Sequence, residues 1–163
     1  MRNETMNDYS FLDHVHAWLG DFIDRYEFSL NQSSSRTYPG FRDNLLSFES
    51  PQCQVQIYLE HNRVYIEISA LNESDPNLWY NLDIMACFVS KTVPNAWKYD
   101  LPRGIPLRQV IEQQLVRWRT ILGRYFDQIL PLFVSKEKLH EMQPTLDTFV
   151  RSFYAEQQKV SLK

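Results

Sequence analysis

The sequence predicts one α+β domain, a three-stranded antiparallel meander packed against an N-terminal helix and three to four C-terminal helices. Three observations carry this expectation. Two stretches in the first half alternate apolar and polar residues with the period of a strand. Long stretches before and after them repeat apolar residues at three- and four-residue steps, the spacing of an amphipathic helix. Only four glycines occur in 163 residues, which argues against glycine-rich phosphate loops and against an all-β chain full of tight turns. The whole chain, 1–163, is expected to fold as a single unit with frayed ends at about 1–7 and 158–163. An apolar fraction of 44% and an aromatic fraction of 14% exclude a disordered chain.

The first helix is expected from a cap at Asp8 or Ser10. Phe11, Leu12, Val15, Trp18, Leu19, Phe22, Ile23 and Tyr26 form its apolar stripe, and the helix should fade near Phe28 to Leu30. Asn31 to Pro39 reads as a loop, flexible at Gln32 to Arg36. Leu46 and Phe48 read as a short strand, and Pro51-Gln52 as the turn out of it.

The centre of the fold is the alternation from Cys53 to Ala70. Cys53, Val55, Ile57 and Leu59 take one face of a strand, with Gln54, Gln56, Tyr58 and Glu60 on the other. Val64, Ile66, Ile68 and Ala70 then alternate with Arg63, Tyr65, Glu67 and Ser69. A two-residue turn at His61-Asn62 places Leu59 opposite Val64, Ile57 opposite Ile66, Val55 opposite Ile68 and Cys53 opposite Ala70. Every pair is apolar, and a slip of one residue would turn a whole apolar set to water. On the other face Glu60 meets Arg63 and Tyr58 meets Tyr65. Pairing Phe48 with Val55 and Leu46 with Ile57 adds the third strand with its apolar face on the same side.

Asp75 as cap and Pro76 at the first position predict a second helix, with Leu78, Trp79, Leu82, Met85, Ala86 and Val89 inward. Trp79 is expected to seal the junction of sheet and helix. Thr92 to Gly104 is irregular, with a brief extended segment at Trp97 to Tyr99. Pro106 opens the longest helix, whose stripe is Leu107, Val110, Ile111, Leu115, Trp118, Leu122, Tyr125, Phe126 and Ile129. Pro131 should end it. The last helical region runs from about Ser135 to Gln158, and Pro144 predicts a break near Gln143 with Thr145 as the next cap.

The chemistry-bearing residues do not form a catalytic pattern. His14 and His16 are two apart and point away from each other on a helix, His61 is a turn residue and His140 lies in a charged stretch. All four are expected to be solvated. Asp21, Asp24 and Glu27 read as the wet side of the first helix. Arg117, Arg119 and Arg124 are flanked by Glu112 and Asp127, which fits local ion pairs better than a nucleic-acid stripe. Cys53 and Cys87 are expected to be buried free thiols. The net charge of −3 gives no general support to nucleic-acid binding. The polar start of the chain resembles no secretory leader, and no apolar run is long enough to cross a bilayer. A cytoplasmic protein without cofactor or metal is the expectation.

The segments Phe48-Glu-Ser50, Glu60-His-Asn-Arg63-Val-Tyr-Ile-Glu-Ile68 and Trp79-Tyr-Asn-Leu-Asp-Ile84 together resemble small bacterial immunity-protein-like families found with toxins and defence loci. In those families a segment of Asp-Arg-Gly-x-Trp type joins two strands and Trp-Tyr-Asp-Leu follows at a helix. Here His61-Asn62-Arg63 replaces Asp-Arg-Gly, and Tyr65 stands where Trp is common. The resemblance spans about residues 48–84 and implies a protein that binds another protein and has no catalytic residue. The expected binding surface is Tyr58, Tyr65, Glu67 and Glu60 on the open sheet face, or Asp21 and Asp24 on the first helix. Tyrosine supplies contact area at little entropy cost, and the acids would mimic phosphates if the partner were a nuclease. A homo-oligomeric structural or secretion-chaperone-like protein, a homodimer among the options, is the alternative, and an enzyme of unrecognised type a third.

Overall fold

A computed structural model describes residues 10–37, 44–92 and 99–161. Helix α1 spans Phe11–Arg25, followed by the short strand β1 at Ser29–Leu30. Strands β2 (Leu45–Glu49), β3 (Cys53–Glu60) and β4 (Arg63–Ala70) come next. Strand β5 (Tyr80–Asn81) leads directly into α2 (Leu82–Ser90), and α3 (Leu107–Ile129) and α4 (Lys136–Ser161) complete the chain. The sheet is antiparallel in the order β1-β2-β3-β4-β5.

The central register is the one that the alternation requires. Leu59 faces Val64, Ile57 faces Ile66, Val55 faces Ile68 and Cys53 faces Ala70. Phe48 and Leu46 lie opposite Val55 and Ile57. His61 and Asn62 both take positive φ, 48° and 65°, so the hairpin closes through a primed turn that matches the strand twist.

The expected three-stranded meander is corrected to five strands, and both additions come from helix ends that stop short. The first helix does not fade at Phe28 to Leu30; it ends at Arg25. Glu27 enters the left-handed region at φ 58°. Its N–H donates to Asp24 O at 3.2 Å, and that of Phe28 to Ile23 O at 2.9 Å. This paired closure consumes the last helical carbonyls and frees Ser29 and Leu30 to pair with Glu49 and Phe48. At the other edge, Asp75 and Pro76 start only a 3₁₀ turn, Pro76–Leu78. Trp79 is extended, Tyr80 and Asn81 pair with Ile68 and Glu67, and the Asn81 side chain caps α2. The edge of β4 satisfies those backbone groups before the helix begins. Trp79 is therefore only half-buried, and Tyr80 seals the junction instead. The Tyr80 ring lies 5.9 Å from Phe133, and its hydroxyl donates to Asp147 at 2.7 Å.

The apolar sheet face meets α1 and α3, which run side by side in the same direction. His14 lies by Arg108 and Glu112, Trp18 under Arg119, and Phe22 edge-on to Phe126 at 4.8 Å. Helix α2 is tied to α3 by the Arg117–Asp83 ion pair at 3.0 Å. Helix α4 runs beside the β5 edge, with Phe149 against Phe88 at 5.2 Å.

One contact sets the geometry of the β4 edge. Among the described residues β5 pairs only with Glu67 and Ile68, so no strand lies beside Val64 on that side. Two side chains of α3 take its place. The Val64 N–H donates to Gln114 Oε1 at 2.9 Å, and Trp118 Nε1 donates to Val64 O at 2.9 Å. Gln114 Nε2 also donates to Asn62 O at 2.7 Å. A side-chain ladder thus substitutes for a neighbouring strand.

Three further expectations are corrected. Helix α4 is unbroken through Pro144. Pro144 and His140 are exposed, so water can reach the carbonyl that the proline leaves unbonded, while Leu139 and Leu146 hold both halves on the core. The segment expected to be flexible holds a 3₁₀ turn, Gln32–Ser34, capped by Asn31. After it Arg36 exchanges two backbone hydrogen bonds with Leu45. His14 is not solvated but buried at 1% exposure. Asp8 and most of the extended segment at Trp97 to Tyr99 lie outside the described residues; Ser10 is the observed cap of α1, in a reciprocal box with Asp13. Of the ends expected to fray, 1–7 and 162–163 also lie outside them, and α4 continues through 158–161.

Candidate functional site

The polar sheet face is closed at one end and open along a strip. At the closed end Gln54 Nε2 donates to Ala70 O at 2.9 Å and to Glu73 O at 2.8 Å, and Ser69 Oγ donates to Leu78 O at 2.8 Å. The β4–β5 connection therefore folds over Gln54 and Ser69, which are buried. Beside it, Ser35 Oγ accepts the Ser47 N–H at 2.9 Å. What stays accessible includes Gln56, Tyr58, Glu60, Tyr65 and Glu67, with Arg63 opposite Glu60 and Leu45 and Glu49 of β2 partly exposed on the same face.

Four of the six residues expected to bind a partner meet on this strip. Alternation places Tyr58, Tyr65 and Glu67 on one face, and antiparallel pairing sets Tyr58 opposite Tyr65. Their rings stack at 5.1 Å with planes 20° apart. Tyr58 leans toward Glu67 and donates its hydroxyl proton to Oε1 at 3.0 Å. Burial pushes the Glu67 carboxyl above its ordinary pKa, and the Tyr58 hydrogen bond pulls the other way. Burial, then the Glu67 charge, pushes the Tyr58 hydroxyl well up. Glu60 is exposed at the end of β3.

A groove of about 320 Å³ runs along this strip, lined by Arg36, Asn44, Leu45, Gln56, Tyr58, Leu59, Glu60 and Glu67. Arg36 and Asn44 flank the strip from the loop between β1 and β2, and no pattern in that loop marks them. Tyr154 of α4 approaches from the other side; it is half-exposed, and its hydroxyl is pushed up by burial and then by Glu67 and Tyr65. A residue one helix turn from Val150 carries no strand-face signal, so Tyr154 could be placed here only by the structure.

Asp21 and Asp24 do not join this site. They are exposed on α1, which packs on the opposite, apolar face of the sheet. A single acidic surface made of Asp21, Asp24, Glu60 and Glu67 is not formed.

The other singled-out residues serve the fold. Arg25 pairs with Asp127 at 2.9 Å, and Arg108 with Glu112 at 3.2 Å. Arg117 combines its bond to Asp83 with a stack on Tyr99, 4.9 Å from the ring centre. Cys53 and Cys87 are free and buried, and burial pushes their thiols up to about 11 and about 12. A thiol so displaced is a poor nucleophile at neutral pH. His140 is exposed and lies 3.3 Å from Glu73. Among the described residues no cluster of three or more His, Cys, Asp or Glu could hold a metal ion, and no helix is long and apolar enough to cross a membrane.

Compared with protein-family models, curated proteins and solved structures, the chain matches none.

Proposed function

We propose that the chain is a non-enzymatic protein-interaction module that meets its partner through Tyr58, Tyr65, Glu67 and Glu60. Following the resemblance of residues 48–84, it acts in the bacterial cytoplasm as an immunity-like inhibitor or accessory subunit of a toxin or defence system, covering its partner's active site. One observation carries this reading. On a sheet face otherwise folded over by its own loops, two stacked tyrosines and a half-buried carboxyl remain accessible. Aromatic side chains in such a setting are the usual anchors of a protein interface.

The test is affinity purification of the tagged chain from its native host, beside a Tyr58→Ala/Tyr65→Ala variant. The stack is partly exposed, so the variant is expected to keep its fold, which circular dichroism checks. A stoichiometric partner held by the parent and lost by the folded variant is the expected result. A partner held equally by both removes the sheet face from the interface. A partnerless chain that runs as a dimer overturns the reading in favour of self-association.

A further inference from the structure

We propose that the groove beside Tyr58 receives an arginine side chain of the partner protein, held between the Tyr58 ring and the carboxylates of Glu67 and Glu60. This deepens the interaction reading and rests on it. The groove offers charge complementarity in a shaped site. Glu67 is half-buried, and among the described residues it makes no ion pair. Its one hydrogen bond, from Tyr58, occupies Oε1 and leaves Oε2 to accept. A carboxylate taken from water without a cation is costly, and a partner that supplies the cation recovers that cost. The groove holds two carboxylates against one guanidinium, that of Arg36. Arg36 anchors the groove wall through its backbone bonds to Leu45, while its exposed side chain makes no ion pair among the described residues.

The shape favours arginine over lysine. Tyr65 covers one side of Tyr58, and Tyr58 itself lines the groove. A planar guanidinium can lie on an aromatic face and still fork its N–H groups to carboxylates, whereas an ammonium is a compact and strongly hydrated charge. The volume, about 320 Å³, sits at the small end of ligand sites and suits one long side chain.

The probe is N-acetyl-arginine amide, followed by amide chemical shifts of the ¹⁵N-labelled chain. N-acetyl-lysine amide and the neutral isostere N-acetyl-citrulline amide serve as controls. The arginine probe is expected to saturate shifts at Tyr58, Glu60 and Glu67, with lysine weaker and citrulline silent. Glu67→Gln keeps an acceptor for Tyr58 and should weaken the probe about tenfold. Arg36→Ala removes a like charge and should tighten it about threefold. The opposite signs separate a cation site from general loss of structure. Equal response to lysine, response to citrulline, or indifference to Glu67→Gln overturns the proposal. If a captured partner depends on Tyr58 and Tyr65 but not on Glu67, the arginine site fails and the sheet interface stands. If the probe binds as expected while the captured partner ignores the tyrosines, the interface reading fails instead.

Discussion

Replacing Gln114 with leucine tests whether α3 stands in for a missing strand. Gln114 and Val64 are each 4% exposed and Trp118 is 1% exposed, so water cannot take over their hydrogen bonds. Leucine removes the acceptor of the Val64 N–H, and a buried donor left unmade costs about 1–3 kcal/mol. The second bond of Gln114, to Asn62 O, adds little because Asn62 is exposed and can be hydrated. We therefore expect Gln114→Leu to destabilise by about 2 kcal/mol. Trp118→Phe orphans the Val64 carbonyl instead and trims a buried ring, for about 3 kcal/mol in all. Both lost bonds belong to one residue, so the double variant should cost less than the sum by at least about 0.5 kcal/mol. Urea unfolding followed by circular dichroism measures each value, and exchange of the Val64 amide reports the local opening. The sign of the Gln114→Leu effect is decisive. Were Gln114 only a tolerated polar group in the core, leucine would bury more apolar surface and stabilise the protein. A neutral or stabilising result refutes the ladder.

Two other outcomes follow from the corrections above. Pro144→Ala should stabilise α4 by about 2 kcal/mol, since an interior proline costs a helix about 3 kcal/mol and part of that is offset by a stiffer unfolded chain; chemical denaturation yielding no gain would show that the proline is needed where it is. His14 is held below its ordinary value of 6.5, first by burial, with Glu112 opposing. The unfolded chain therefore binds its proton more readily, so its stabilising contribution is complete above pH 6.5 and is lost as pH falls through the folded value. His14→Gln should flatten the stability–pH curve across that window, and a curve of unchanged slope would place the titration elsewhere.

The period-two alternation determined the central hairpin because burial of one face leaves a single register. The same logic brought Tyr58, Tyr65, Glu67 and Glu60 to one strip. Asp21 and Asp24 share only charge with them, and charge does not say on which side of a sheet a helix packs. The edge strands β1 and β5 are each two residues long, too short to show a period. Asp75-Pro76 is a genuine start signal, yet strand pairing beside Ile68 outcompeted the helix for the next residues. Gln114 lay off the apolar stripe expected for α3, and nothing local marks a polar side chain that serves a backbone fifty residues earlier. Arg36, Asn44 and Tyr154 reach the groove from separate segments, so only tertiary structure unites them with it.

The ladder from α3 has a consequence for how this chain is made. Val64 leaves the ribosome 50 residues ahead of Gln114 and 54 ahead of Trp118. The hairpin is local and can close at once, but its outer edge waits for a helix that has not yet been synthesised. During that interval the β-rich first half presents an open strand edge, the surface through which chains most readily join one another. Arrival of α3, rather than closure of the hairpin, is the event that closes this edge of the sheet.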